Sequence, residues 1–156
     1  MSNIEQRLAR LEAESDIRKL KARYLNACDA KDVAAIRACF TEDAKIEFPP
    51  LGSFGLEGLI GIFTQMAATT PIVDVHHGHN GEITIDGDAA KGIWNLGFAT
   101  YDPRQNSFRM LASFYEDEYR KTVDGWKISY TKSTPRTIVD GTLADDTIAA
   151  KWVADT

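Results

Sequence analysis

The main change in the pattern of apolar and polar residues along this chain occurs at Pro71. Before Pro71, apolar residues recur every three or four positions, which is typical of amphipathic helices. After it, apolar and polar residues alternate, which is typical of β-strands with one buried face. Helices followed by a run of neighbouring strands predict an α+β fold, in which a long, curved antiparallel sheet packs on the helices and encloses a pocket.

The helical half divides into four predicted segments, which are 4–11, 15–31, 32–39 and 56–66. Ser15 and Asp32 are placed to cap the second and third helices, because their side-chain oxygens can accept unpaired amides of a first turn. On the second helix we expect Tyr24 on the apolar face and Lys21 on the solvated face. A strand over 44–48, between a turn at 40–43 and a loop at 51–55, interrupts the helices.

The second half contains four predicted strands, which are 73–85, 89–101, 107–121 and 126–134. Asp-Gly pairs at 86–87 and 124–125 favour tight hairpins between them, because glycine accepts the positive φ of such turns. The alternation predicts three apolar faces, which consist of Gly92, Trp94, Leu96 and Phe98, of Phe108, Met110, Ala112 and Phe114, and of Trp126, Ile128 and Tyr130. The tail from Leu143 to Val153 is expected to be a closing helix or an arm that contacts a partner.

Composition narrows the classes of function. The chain has 156 residues, enough for one domain with a core, and its 44% hydrophobic and 26% charged residues are those of a globular protein. A net charge of −5 argues against nucleic acid or a membrane surface as a partner. Cys28 and Cys39 fall in helical patterns and resemble packed thiols, so a reducing cytoplasm is the expected location.

The candidate residues for proton transfer lie in one stretch, because all three histidines fall within residues 76–79. Histidine is the usual proton carrier at neutral pH, and His76 opens a predicted strand. His77 and His79 are expected to be packed or surface residues; a metal site is the rival use, but no third ligand is visible. In a regular strand His76 and Ile83 would face opposite sides, so His76 reaches the pocket only if a bulge near Gly78 or Gly81 resets the alternation.

Three stretches resemble the SnoaL-like members of the nuclear-transport-factor-2-like superfamily, which have a cone-shaped α+β fold. The stretches are 17–32 with 40–44, the histidine cluster running to residue 92, and 115–119 with 124–128. They cover most of residues 15–136, the expected core of a single domain over 1–156, with the tail 137–156 packing on the fold or on a neighbouring subunit. The pattern is most similar to that of scytalone dehydratase, bile-acid 7α-dehydratase and hexachlorocyclohexane dehydrochlorinase.

The resemblance implies a site and a reaction. Asp29 and His76 match the aspartate and histidine of these lyases, Tyr24 matches a tyrosine of the bile-acid enzyme, and Arg136 falls where two of them place an arginine. A dehydratase-like carbon–oxygen lyase or an isomerase is expected, with His76 as base, no cofactor and no metal. It would act on a small hydrophobic molecule as a homodimer or homotrimer. Ligand contacts are expected from Arg136, Phe48, Phe63, Trp94, Phe98 and Phe114.

Several alternatives stay open at this point. Asp29 also suits a helix-end turn, Tyr24 a core aromatic and Arg136 a surface position. Trp94 lies in the region where scytalone dehydratase has a second histidine, which makes scytalone-like chemistry less fitting. The same fold could also serve a protein that only binds a hydrophobic ligand, or an enzyme like the polyketide cyclases.

Overall fold

The computed structural model describes residues 3–49, 51–69, 71–144 and 147–152. Its helices are α1 (Ile4–Ala30), α2 (Val33–Ala38) and α3 (Leu56–Thr69). Its strands are β1 (Phe40–Phe48), β2 (Gly52–Gly55), β3 (Val73–Asp86), β4 (Ala89–Asp102), β5 (Ser107–Thr122), β6 (Gly125–Ala144) and β7 (Thr147–Trp152). The α+β class is therefore confirmed. No helix in these residues is long and apolar enough to cross a membrane.

The strands form one sheet in the order β2-β1-β6-β5-β4-β3, and β7 pairs with the far end of β6. β3 to β6 form the predicted run of antiparallel hairpins. The sheet is mixed rather than wholly antiparallel, because β1 runs parallel to β6. About half of the chain, residues 49–124, separates these two strands, so no tight hairpin forces them to run in opposite directions.

The N-terminal region is one helix and not two. Asn3 caps α1: its side chain accepts from the Gln6 amide at 2.8 Å, and the Gln6 side chain accepts from the Asn3 amide at 3.2 Å. Ser15 therefore lies inside the helix, since none of the residues before it favours a break. The first turns extend beyond the body of the protein, and their apolar residues Ile4, Leu8 and Leu11 are 81%, 54% and 64% exposed.

Two smaller predictions were also wrong, and the tail is not the helix that was one of its two expected forms. The expected turn at 40–43 is the start of β1, where buried Phe40 pairs with Ile128 of β6. The expected loop at 51–55 contains β2, which pairs with β1. The tail forms β7 on an extended β6 rather than a helix, because β6 offers an open edge there. Val153 lies outside the described residues.

The buried faces of β4 and β5 follow regular alternation, whereas a bulge changes the buried face of β6. The apolar face predicted for β4 is correct, with Trp94 and Leu96 buried. On β5 the prediction chose the wrong face, since Met110 is 57% exposed and the buried residues are Ser113, Tyr115, Asp117 and Tyr119. On β6, Trp126 and Ile128 are buried, but the register shifts between Glu118 and Tyr119, so that Tyr130 lies on the other face. An inserted residue reverses the alternation beyond it.

A buried ion pair joins α1 to the middle of the sheet. Lys21, which the sequence placed on the solvated face, is 1% exposed, and its Nζ lies 2.7 Å from Asp117 Oδ2. Tyr119 and Thr131 donate to the same carboxylate, each at 2.7 Å. Burial lowers the pKa of Lys21, and the Asp117 carboxylate opposes that effect. The pair is therefore fully desolvated but well satisfied.

We predict that Lys21→Met lowers the free energy of unfolding by about 3–5 kcal/mol, because it leaves the Asp117 charge buried without its cation. Urea denaturation measures this change. Lys91→Met is the matched control: the Lys91–Glu118 pair, at 3.0 Å, is solvated, with side chains 78% and 49% exposed. Its loss should cost less than about 1 kcal/mol. Equal losses in the two variants would contradict the role given to the buried pair.

Candidate active site

Asp29 and His76 meet where the end of α1 crosses β3. The Nδ1 atom of His76 lies 2.5 Å from Asp29 Oδ1. The backbone amide of His76 also donates to both oxygens of that carboxylate, at 3.1 and 3.2 Å. Three contacts thus hold the carboxylate against one residue. An imidazole bound through Nδ1 to a carboxylate keeps Nε2 for proton transfer, and the carboxylate stabilises the imidazolium that would form.

A second pair lies beside the first and joins the same two elements. Lys31 ends α1 in the left-handed conformation, with φ 55°, and its amide donates to the Ala27 and Cys28 carbonyls. Its ammonium lies 2.5 Å from Asp74 Oδ2. Asp74 is two residues before His76 on β3, as Lys31 is two residues after Asp29. The two pairs together fix the helix end to the strand; sequence reasoning missed Lys31 and Asp74 because neither belongs to the resembling pattern.

A bulge turns His76 toward the helix. The pairing of β3 with β4 shifts between His79 and Glu82, and Asn80 in the shifted segment has φ 51°. His76 therefore pairs with Phe98, and Ile83 pairs with Gly92, so both share the buried face. The bulge that the sequence required near Gly78 or Gly81 is confirmed.

The surroundings of His76 are part apolar and part charged. Its ring contacts Phe98 with centroids 4.5 Å apart, and its side chain is 15% exposed while that of Asp29 is 27% exposed. A cavity of about 200 Å³ lies between α1 and β3 against His76; its lining includes Arg18, Lys21, Leu25, Asn26 and Trp94. Arg18 and Lys21 give this small cavity a polar wall, whereas the sequence predicted an apolar pocket.

The other predicted site residues are distributed among several environments. Trp94 is buried and donates through Nε1 to the Tyr119 hydroxyl at 2.9 Å. Phe48 and Phe63 belong to the core or pack against it. Tyr24 is 2% exposed and packs edge-on against Phe40. Burial, with Cys28 and Tyr115 close by, raises the pKa of Tyr24 well above its usual value.

The structure does not bring Arg136 and Phe114 to His76. Phe114 alternates with the buried residues Ser113 and Tyr115, so it lies on the opposite face of the sheet. The Arg136 guanidinium lies 5.9 Å from the centre of the Phe114 ring on that outer face. Arg136 is the inserted residue where β5 and β6 shift register, since Ser113 pairs with Pro135 and Ala112 with Thr137. Pro135, next to the insertion, is a local sign of it, because proline within a sheet is confined to edges and bulges.

His77 and His79 are exposed, and their rings stack with centroids 5.7 Å apart. Among the described residues, no three His, Cys, Asp or Glu side chains converge as a metal site would require. Both histidines alternate with the inward-facing positions of β3. They therefore lie outside the Asp29–His76 pair.

The comparisons with known proteins bear on the family and the fold. The profile of a family described as SnoaL-like domain matches residues 9–132. A comparison with curated protein sequences finds no match. Among solved structures, a type 2 hexachlorocyclohexane dehydrochlorinase superposes with a TM-score of 0.76 at 18% identity, over 96% of this chain and 94% of its own.

Two further solved structures superpose well. A type 3 hexachlorocyclohexane dehydrochlorinase from Novosphingobium barchaimii has a TM-score of 0.74 at 18% identity, over 96% of this chain and 95% of its own. An NTF2-like protein with a cystatin-like fold, from Novosphingobium aromaticivorans, has a TM-score of 0.71 at 20% identity, over 94% of each chain. At these identities the similarity establishes the fold.

We predict that Gly81→Ala disturbs the bulge that orients His76. A Cβ at residue 81 would overlap the ring of buried Trp94, which is held by its hydrogen bond to the Tyr119 hydroxyl. The free energy of unfolding should fall by about 1–3 kcal/mol, and the His76 amide resonance should shift in an NMR spectrum. Gly61→Ala is the control, because nothing lies within 4 Å of that Cβ and alanine favours the helix. A Gly81→Ala protein as stable as wild type would contradict the prediction.

Proposed function

The chain belongs to the SnoaL-like domain family, and from that premise we propose that it is a cofactor-independent lyase or isomerase in which His76 removes a proton from carbon. The observation that supports the proposal is the Asp29–His76 pair, with Nδ1 and Oδ1 2.5 Å apart. Asp29 also accepts the His76 amide, so the ring and the carboxylate are held in one relative position. Such an arrangement is typical of a general base whose tautomer is set in advance.

The proposed reaction needs only these two side chains for its proton transfers. His76 Nε2 takes a proton from a carbon next to an electron-withdrawing group, and Asp29 stabilises the imidazolium. The electron pair of the broken C–H bond forms a double bond while the group on the neighbouring carbon leaves with its own pair. A leaving hydroxyl receives the proton from His76 and departs as water; return of the proton to another carbon gives an isomerase instead.

The proposed substrate is a small hydrophobic molecule, aromatic-derived or polycyclic. Phe98 against the imidazole supports an apolar reacting end, and Trp94 and Leu25 border the adjacent cavity. The solved dehydrochlorinases are named for hexachlorocyclohexane, an apolar ring with leaving groups. Tyr24 enters the proposal only as a hydrogen-bond donor, because its raised pKa keeps it protonated at neutral pH.

We also propose that the protein is a cytoplasmic homodimer or homotrimer. Two free, buried cysteines suit a reducing compartment. The outer face of the sheet carries Val73, Val75, Ile93 and Met110, which are 57%, 40%, 40% and 57% exposed. Val75 and Met110 flank Ala99 of β4 on this face, and Val73 lies in the next row. An apolar surface of this kind is typical of one that a second subunit covers.

We predict that His76→Ala lowers turnover by roughly 10²–10⁴-fold, because the proton acceptor is lost. The assay follows chloride release from hexachlorocyclohexane isomers, water loss from β-hydroxy ketones, and exchange of their acidic C–H protons in D₂O by NMR. Exchange reports proton removal even where no group leaves.

His77→Ala is the matched control for this experiment, because it removes a neighbouring imidazole from the other side of the strand. His77 borders the cavity beside His76 but is not held by Asp29, so turnover by His77→Ala should fall far less than turnover by His76→Ala. Circular dichroism should show that both variants fold. Full activity in His76→Ala would refute the proposal. Probes that bind wild type and emerge unchanged, with no deuterium incorporated, would favour a binding protein instead.

We predict that Met110→Lys converts the proposed oligomer to a monomer, because a charge would have to be buried at the outer face of the sheet. Light scattering after size-exclusion chromatography measures the mass. Leu51→Lys is the control, since Leu51 is 69% exposed but lies in the turn between β1 and β2. A monomeric wild-type protein, or an oligomer that survives Met110→Lys, would overturn this assembly.

A further inference from the structure

A second and larger cavity, of about 650 Å³, lies at the far end of the sheet. It is bordered by side chains of β4, β5 and β6, the strands that also pass the Asp29–His76 pair. Its polar lining consists of Thr100, Asp102, Ser107, Arg109, Asp140 and Thr142. None of these residues has a role in the proposed proton transfer. The position of the cavity relative to His76 is nevertheless fixed, because the same paired strands pass both.

Register places this cavity next to His76 on the same face of the sheet. His76 pairs with Phe98, Phe98 with Leu111, and Leu111 with Ile138. The next row on that face is Thr100, Arg109 and Asp140, which pair in turn. Arg109 lies two strands across from His76, roughly 10 Å, and two residues along, roughly 7 Å. A molecule roughly 12 Å long whose reacting carbon lies at His76 would therefore reach Arg109 with its far end.

The chemistry of the wall changes between these two rows. The row at His76 is apolar, with Phe98, Leu111 and Ile138. The next row carries an ion pair, in which Arg109 Nε lies 2.7 Å from Asp140 Oδ1 and Arg109 Nη2 lies 2.8 Å from Oδ2. This pair uses Nε and Nη2 and leaves Nη1 outside it. The hydrogen bonds to Asp140 raise the pKa of Arg109, so the guanidinium stays charged.

The charge of this wall selects the kind of group that fits. Arg109 is matched by Asp140. Asp102 is matched by Arg104, whose Nε lies 3.4 Å from Asp102 Oδ1. These two ion pairs leave no unmatched guanidinium to attract an anionic ligand. A neutral group with both donors and acceptors can bond to Nη1 and to the hydroxyls of Thr100, Ser107 and Thr142 without a charge conflict.

We propose that the Arg109–Asp140 cavity is a binding subsite for the neutral, hydroxyl-rich or amide-bearing part of a ligand whose apolar part lies at His76. The assignment of the apolar end rests on the proposed function. The subsite itself depends on binding alone, so it can be tested without turnover. It predicts an elongated ligand with an apolar ring at one end and uncharged oxygen-rich groups at the other.

Three fluorescent coumarins test the proposal by titration with the full chain. 4-Methylumbelliferyl β-glucoside carries a neutral hydroxylated tail, 7-methoxy-4-methylcoumarin has no tail, and 7-carboxymethoxy-4-methylcoumarin has an anionic tail. The glucoside should bind about tenfold more tightly than the methoxy compound, since two well-made hydrogen bonds supply roughly that factor. The carboxylate should bind no more tightly than the methoxy compound.

Variants of the cavity wall test whether the preference for the glucoside depends on the Arg109–Asp140 pair. The double change Arg109→Leu with Asp140→Leu keeps the net charge and should abolish the preference for the glucoside. The matched control is Asp43→Leu with Arg120→Leu, which removes another Arg–Asp pair, with closest approach 3.2 Å, away from this cavity. It should keep the preference. Thr100→Val, which removes one hydroxyl from the wall, should weaken the preference and serves if the double variant does not fold.

His76→Ala separates this proposal from the proposed function, because it should lose turnover and keep the preference for the glucoside. Equal binding of the glucoside and the methoxy compound would overturn the subsite. So would a preference that survives the Arg109–Asp140 change, tightest binding by the carboxylate, or failure of all three coumarins to bind.

Discussion

The buried ion pair between Lys21 of α1 and Asp117 of β5 fixes the position of α1 on the sheet. Lys21 and Asp117 are both desolvated, and a shift of α1 by one turn would leave two buried charges without partners. Asp29 lies eight residues further along the same helix, about 12 Å at 1.5 Å per residue. The position of the helix on the sheet therefore sets the distance between Asp29 and β3. The candidate dyad depends on a contact two turns away that touches neither of its members.

Local patterns predicted most of the helices and strands, whereas long-range contacts determined which side chains are buried. The Asp-Gly turns and the alternation found all four long strands, because these signals act between neighbours in sequence. The burial of Lys21 could not be foreseen, since its partner is 96 residues away. The insertions at Ser129 and Arg136 of β6 are defined by its pairing with β5, which explains the misplaced Tyr130 and Arg136. β5 itself alternates regularly, so for Met110 the alternation was recognised and the wrong face was chosen. The pairing of Asp29 with His76 came from the family resemblance alone, because 47 residues separate them and no spacing rule joins them.

Because its strands are long, one sheet can form both a packed core and the walls of the proposed binding site. Near the buried ion pair their inward side chains form a packed core, at His76 they form an apolar wall, and at Arg109 they form a polar one. Each step outward changes the chemistry without a change in the backbone. The three solved structures described above share 18–20% identity with the chain. The fold thus tolerates replacement of most of its residues, and function must be argued from the individual side chains.

The exposed beginning of α1 gives this helix two thermodynamic halves. Residues 3–12 contact no core, whereas buried residues from Ala13 to Cys28 are covered by the sheet. Opening the first half needs only the loss of its own hydrogen bonds, while opening the second exposes the core and is coupled to global unfolding. Amide protons should therefore exchange with solvent on very different timescales along a single unbroken helix. The helix is therefore one structural element whose two parts open in separate steps.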